Sequence, residues 1–202
     1  MLKIWGRINS INVQKVMWTA AELEIGHERV DAGRQFGVVK EPWYLKMNPN
    51  GLVPTIEDDG FVLWESNAIV RYLFAKYGKP QTQELRADAD RWMEWYSTTY
   101  AAKVATVFLG LIRTPAQERD MGAIEAARKG TIENLKILEG HLSGRAYLCG
   151  SEFTMGDIPL GAGVFRWYNL PIERPSYPNI EAWYKRLCKR PAYQKHVMLP
   201  LS

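Results

Sequence analysis

The chain has 202 residues, of which 47% are hydrophobic and 12% aromatic, and a formal net charge of +4. That is enough apolar chain to bury a core, in one large domain or two small ones, and it excludes a disordered polymer. Two cysteines without CxxC spacing, Cys149 and Cys188, and three scattered histidines, His27, His141 and His196, match neither a disulfide framework nor a metal-ligand cluster.

No apolar run reaches membrane-span length, and the opening Met-Leu-Lys-Ile-Trp-Gly lacks the layout of a signal peptide. The expectation is a cytoplasmic protein without a membrane partner. Basic residues alternate with acids, as in Arg86-Ala-Asp88-Ala-Asp90-Arg91. The densest basic group, Lys185, Arg186, Lys189 and Arg190, falls where a helix ends and cations favour its dipole. A nucleic-acid partner is therefore not expected.

Leu2 and Ile4 alternate with Lys3 and Trp5, predicting a short strand that stops at Gly6. Val13, Val16, Met17 and Ala20 fall at i, i+3, i+4 and i+7, one face of a helix that Gly26 terminates. His27 to Val30 reads as a second strand. A loop with Gly33 and Gly37 and a short helix near Pro42 to Lys46 lead to a strand over Val53–Ile56. Pro49, Asn50 and Gly51 form a turn before it. Pro54 cannot donate to a ladder, so an edge strand or a cis bond is expected, either leaving the Val53 N–H and C=O for an outside partner. Asp58-Asp59-Gly60 signals a hairpin, and Phe61–Trp64 returns. Glu65-Ser66 opens a helix over Asn67–Tyr77 that Gly78 ends, and a helix start favours anionic groups. A free strand edge beside an unoccupied helix N-terminus is a receptor for a peptide-like molecule that carries carboxylates.

The order β-α-β-α-β-β-α implies a small mixed sheet with helices on both faces, a thioredoxin-like arrangement. After Gly78-Lys79-Pro80 the pattern turns wholly helical, so a linker near 78–83 divides residues 1–79 from an all-helical domain over 84–202. Trp92, Trp95, Tyr96 and Thr99 are expected on one helix face. Thr114-Pro115-Ala116-Gln117 reads as a capping box opening a helix, and Thr154-Met155-Gly156-Asp157 as another before Ile158–Tyr168. That last helix is apolar on all sides except near Arg166, which places it inside a bundle.

The motif Asn48-Pro49-Asn50-Gly51-Leu52-Val53-Pro54, followed by Trp64-Glu65-Ser66-Asn67-Ala68-Ile69, resembles the glutathione-binding core of the glutathione S-transferase family. The resemblance extends over essentially the whole chain, and is to the Ser-type, theta-like bacterial members. It implies a thioredoxin-like domain followed by an all-α bundle, glutathione as co-substrate with no metal, and conjugation of the thiolate to a small electrophile. It also implies that Val53 pairs through its main chain with the cysteinyl unit beside Pro54. Glu65 and Ser66 would hold the γ-glutamyl amine and carboxylate, and Lys40, or else Arg34, the glycyl carboxylate.

Relatives differ in whether Tyr, Ser or Cys activates the thiol near the first strand. Here the first Tyr is Tyr44 and the first Cys is Cys149, so neither type fits. Ser10 stands at the Ser position. A Pro usual two residues later is replaced by Asn12, whose amide could also donate, and either residue could simply cap the helix. Asp90 aligns with an acid that in relatives reaches the γ-glutamyl group across a homodimer, or is a solvated acid beside Arg86 and Arg91. Tyr100, Val104, Phe108 and Trp167 are expected to line the electrophile pocket, although core packing explains each equally well. Peroxide reduction by the same thiolate and a non-catalytic binding module are the competing readings.

Overall fold

The computed structural model describes residues 1–202. They form two compact units, Met1–Pro80 with Ala192–Leu199, and Gln81–Pro191 with Pro200–Ser202.

The first unit is built on a sheet of four strands: β1 (Leu2–Trp5), β2 (His27–Val30), β3 (Thr55–Asp58) and β4 (Phe61–Trp64), in the order β2-β1-β3-β4. β1 runs parallel to β2 and antiparallel to β3, and β3 is antiparallel to β4. The parallel pair requires a crossover, which α1 (Ile11–Glu22) supplies. Leu2, Ile4 and Ile56 point to the face on which α1 and α3 (Ser66–Tyr77) pack, with Val13, Val16, Met17, Ala20, Ile69 and Leu73 closing the core. Trp5, one residue on, faces the other way. It joins Ala32 and Tyr44, the latter from α2 (Pro42–Met47), in a second cluster, so both faces are covered. From the segment Ala192–Leu199, the Tyr193 ring meets Trp18 edge-on, centroids 4.7 Å apart.

The third strand differs from expectation. It begins at Thr55, two residues later than Val53, and lies inside the sheet between β1 and β4. The Pro sits just ahead of the ladder, where its missing N–H costs no strand bond, and the Val53–Pro54 peptide is cis. The Asp59-Gly60 hairpin is as expected, both residues taking positive φ (51° and 87°) as a tight two-residue turn requires.

The second unit is helical. α4 (Gln83–Trp95), a π turn at Tyr96–Tyr100, α5 (Ala101–Phe108) and a second π turn at Leu109–Arg113 follow one another without a break. Each π turn rotates the register, so the buried face is Trp92, Met93, Tyr96 and Tyr100, while Trp95 and Thr99 stand at its margin. α6 (Met121–Leu142) packs on α5, and α8 (Pro178–Cys188) on α6 and α7 (Asp157–Tyr168); α9 (Pro191–His196) belongs, after its first residue, to the first unit. α7 is buried from Asp157 through Trp167, with Gly163 so close to Tyr96 that a Cβ there would lie 2.8 Å from its ring. The Arg166 guanidinium lies 3.8 Å from the Phe108 ring centroid, a cation–π contact that lets a charge sit on this apolar helix.

The Thr114-Pro115 box does not open the long helix. It gives a single 3-10 turn, Ala116–Glu118, and Thr114 Oγ1 turns back to donate to the Leu109 carbonyl at 3.1 Å. α6 starts after Asp120, whose carboxylate accepts the Ala123 N–H at 2.9 Å. At α7 the carboxylate of Asp157, the first helical residue, ties down the chain ahead of the helix. It accepts from the Thr154 N–H (2.9 Å), the Thr154 hydroxyl (3.3 Å), the Leu148 N–H (3.1 Å) and the Trp183 indole (2.8 Å). Burial pushes this carboxyl up to about 6, with the four donors pulling against it.

Candidate active site

One cleft in the first unit gathers the motif residues. Asn12, Asn48, Asn50, Leu52, Val53, Pro54, Trp64, Glu65 and Ser66 line it.

The loop from Asn48 to Pro54 is tied inward. Asn48 is almost fully buried, and its amide donates to the Leu52 carbonyl and to Thr55 Oγ1, both at 3.0 Å. Its side-chain oxygen accepts the Asn50 N–H at 3.1 Å, an Asx turn. The Tyr44 hydroxyl reaches the Leu52 carbonyl and Thr55 Oγ1 at 2.8 Å each. Gly51 takes φ +59°, and a Cβ there would fall 2.9 Å from the Val39 carbonyl, so only glycine fits. With the Leu52 carbonyl and Thr55 held from below, the Val53 N–H and C=O enter no backbone hydrogen bond of the fold. A stretch of main chain is thus left with strand-like pairing capacity beside the cleft.

The opposite wall is the start of α3. Glu65 occupies the N-cap position in a left-handed conformation (φ 71°), uncommon for a residue with a Cβ, and makes no side-chain cap bond. The first-turn N–H groups of α3 are therefore left uncapped, with Ser66 buried at their head. Beneath them lies Lys15, which only the structure reveals as part of the site. It is 3% exposed and donates from Nζ to Asn67 Oδ1 at 2.9 Å. Burial lowers its ammonium to about 7, the Glu65 carboxylate opposing that and Arg71 adding to it.

Ser10 is the N-cap of α1, but its hydroxyl makes no cap bond. Its main chain does the local work, with Ser10 N–H donating to the Arg7 carbonyl at 3.2 Å and its carbonyl accepting from Gln14 at 2.8 Å. The hydroxyl remains available. Asn12, in the first turn of the same helix, is exposed and contributes to the cleft wall. Lys40 comes to the loop itself: a Cβ on Gly51 would lie 3.0 Å from its Nζ. Arg34 is elsewhere, in a 3-10 turn over Arg34–Phe36, where its charge is felt by Arg7.

The remaining expected residues belong to the second unit. Asp90 is partly exposed on α4, and Arg91 pairs with Asp88 rather than with it. Tyr100, Val104, Phe108 and Trp167 are at most 1% exposed and face the interior of the helical unit. The Tyr100 hydroxyl is buried there with no hydrogen-bond partner. Sequence reasoning missed Asn48, Tyr44 and Lys15 as organisers of the cleft. Asn48 carried a signal, an Asx residue ahead of Pro-Asn-Gly, whereas the partners of Lys15 and Tyr44 appear only on folding.

Comparison with known proteins agrees with this geometry. Residues 1–75 match the family model for the glutathione S-transferase N-terminal domain and residues 70–191 that for the C-terminal domain. Glutathione S-transferase GstB of Escherichia coli K12 is 41% identical, with all of both chains covered. Glutathione S-transferase 3 of Zea mays is 30% identical over 97% of this chain and 93% of its own. Among solved structures, the theta class glutathione S-transferase of Xanthomonas axonopodis pv. citri with glutathione bound superposes with a TM-score of 0.95 at 46% identity, covering 100% of this chain and 99% of that one. No helix is long and apolar enough to cross a membrane. Both halves of the chain match the family and full-length relatives carry its name, so the chain belongs to the glutathione S-transferase family.

Proposed function

We propose that the protein binds glutathione in the Asn48–Ser66 cleft and transfers its thiolate to small electrophiles. The observation that carries this reading is the unpaired Val53 main chain set opposite the uncapped start of α3. An extended tripeptide would pair antiparallel with Val53 through its cysteinyl unit. The γ-glutamyl carboxylate would take the Ser66 end of α3 and its ammonium the Glu65 carboxylate. Lys40, beside Gly51, would hold the glycyl carboxylate in preference to Arg34.

The chemistry asks little of the protein. A thiol with pKa about 8.5 needs roughly 2.7 kcal/mol of preferential anion stabilisation to be mostly ionised at neutral pH. One hydrogen bond to a charged acceptor supplies about 1.5–3 kcal/mol, and a helix N-terminus adds a fraction more. In this reading the unengaged Ser10 hydroxyl is the donor, with the Asn12 amide on the wall as its competitor. The thiolate attacks the electrophilic carbon, the leaving group departs with its electron pair, and the thiol proton goes to solvent.

Ultraviolet thiolate absorbance against pH tests the assignment. Ser10→Ala should raise the apparent pKa of bound glutathione by about 1–2 units, or about 1.4–2.7 kcal/mol, with little loss of affinity. A shift in Asn12→Ala alone would transfer the role to Asn12, and no shift in either would leave the helix start as activator. Failure to be retained on immobilised glutathione would refute the binding reading outright. A panel of aryl halide, alkyl halide, epoxide and cumene hydroperoxide separates conjugation from peroxide reduction. The same reading takes the protein to be a cytoplasmic homodimer in which Asp90 serves the neighbouring subunit's glutathione. A sedimentation mass near 23.2 kDa would overturn the dimer.

A further inference from the structure

The tight turn Arg7–Ser10 brings a charge to the thiol end of the cleft that the reaction described so far does not use. The Ser10 N–H donates to the Arg7 carbonyl at 3.2 Å, and such a turn holds its first and fourth Cα atoms within about 7 Å. The Arg7 N–H is tied to the Ala32 carbonyl at 3.1 Å, anchoring the turn on the loop after β2. A Cβ placed on Gly33 of that loop would meet Arg7 Nη1 at 3.6 Å and the Val53 side chain at 3.3 Å, so the guanidinium lies beside the residue expected to pair with the cysteinyl unit.

This guanidinium has no acid. Arg7 forms no ion pair, its Nε is buried without a hydrogen-bond partner, and the charged group it feels is another cation, Arg34. The carboxylate of the loop, Asp31, is taken by Arg29. Desolvation and Arg34 together depress the Arg7 guanidinium below its ordinary value, so the pair is uncompensated in the free protein. Two adjacent arginines without a counter-ion, one of them partly desolvated, are arranged for an anion that arrives from outside, and a planar guanidinium favours a carboxylate. In the reading above the glycyl carboxylate goes to Lys40, whose Nζ lies at the Gly51 end of the loop.

We propose that Arg7, supported by Arg34, binds the carboxylate of the electrophile, so that this transferase prefers small carboxylate-bearing alkylating substrates to their neutral counterparts. The inference rests on the glutathione-transfer reading above. In the step itself the glutathione sulfur forms a bond to the α-carbon, the carbon–halogen bond breaks, halide leaves with the electron pair, and the thiol proton passes to solvent.

Iodoacetate and iodoacetamide make a matched pair of nearly equal size that differ in charge. After subtraction of the uncatalysed rates, the ratio of their kcat/KM values reads the preference directly. Arg7→Gln should lower kcat/KM for iodoacetate about tenfold or more, and that for iodoacetamide less than twofold. Arg34→Gln should act in the same direction and more weakly, and Arg7→Lys should recover part of the iodoacetate rate. The wild type provides a reading independent of any variant's folding: added salt should depress turnover of iodoacetate and leave iodoacetamide nearly flat. Equal losses on both substrates would mean that Arg7 acts on the thiolate or on the fold, and a raised glutathione KM with both that it holds the tripeptide. Either result overturns the proposal, as does a salt-insensitive, unchanged ratio. A protein that is retained on glutathione and turns over 1-chloro-2,4-dinitrobenzene without the preference refutes only this inference, while one that turns over no electrophile refutes the transferase reading with it.

Discussion

The helix starts of the two units are finished differently. In the helical unit those of α4, α6 and α8 are closed from within. Thr82 accepts the Leu85 N–H at 3.2 Å, Asp120 caps α6, and at α8 Glu139 accepts the Asn179 and Ile180 N–H groups at 3.1 and 3.0 Å, while Asp157 at the head of α7 gathers four donors from outside that helix. In the sheet unit α1 and α3 begin at Ser10 and Glu65 with no side-chain cap bond at all. Ser is a favoured N-cap residue and Glu is not, so the difference is one of placement at α1 and of residue type at α3. The starts of α1 and α3, which border the cleft, are left open, while those of α4, α6 and α8 are filled. An unfilled N-terminus that borders a cleft favours an anionic ligand there.

The largest effect expected from this contrast is in pH dependence, because each unit buries one ionisable group near a helix start. Lys15, under the open α3, ionises at about 7 when folded against 10.5 in its free state. Its contribution to stability is full above the unfolded value and is lost as pH falls through the folded one, on the order of 4–5 kcal/mol in all. Asp157, at the head of α7, has the opposite sign. Its folded value is raised to about 6 from 3.8, so stability is full below the unfolded value and is lost, by about 3 kcal/mol, as pH rises through the folded one. Thermal midpoints of Lys15→Met and Asp157→Asn against pH should each flatten their own window and leave the other intact.

Removing the closed hub altogether comes next. Asp157→Ala strands the Leu148 and Thr154 N–H groups and the Trp183 indole in a fully buried site, and should cost about 3–4 kcal/mol in urea unfolding of the helical unit. Asn48→Ala acts on the open side. It frees the Leu52 carbonyl and Thr55 of one partner each, should cost about 2 kcal/mol, and should also raise the glutathione KM because the Val53 main chain is no longer held. The smallest pair is the sharpest. Asp120→Ala should cost about 1 kcal/mol as a lost cap, while Ser10→Ala should cost under about 0.5 kcal/mol. A Ser10 variant as destabilised as the Asp120 variant would mean that its hydroxyl is a structural cap after all.

Much of the sheet unit is legible in the sequence because its signals are local. Alternation at Leu2–Trp5, the 3.6-residue face from Val13 to Ala20 and the Asp59-Gly60 turn each specify their own geometry. The cleft loop is half legible. Pro54 announces unpaired main chain, but whether it sits at an edge or before an interior strand depends on β1, about fifty residues earlier. The helical unit hides more. A π turn adds a residue to a helix without any marker, so the face through Trp92 drifts from Thr99 to Tyr100. Thr114-Pro115 carries every local feature of a helix start, yet Asp120 wins because it is the residue whose carboxylate reaches a free N–H. No local signal marks Lys15 or Arg7, whose surroundings are made only by tertiary burial.

The return of Ala192–Leu199 to the first unit has a consequence for synthesis. Residues 1–80 leave the ribosome early, but the segment that sets Tyr193 against Trp18 follows more than a hundred residues later. At about 5–20 residues per second the incomplete unit waits on the order of 5–20 s for its last piece. The intervening helices meanwhile form their contacts with one another, all but those that await Pro200–Ser202. The half that carries the cleft is begun first yet waits for a piece made near the end of the chain, and slow translation lengthens the time Trp18 spends without Tyr193.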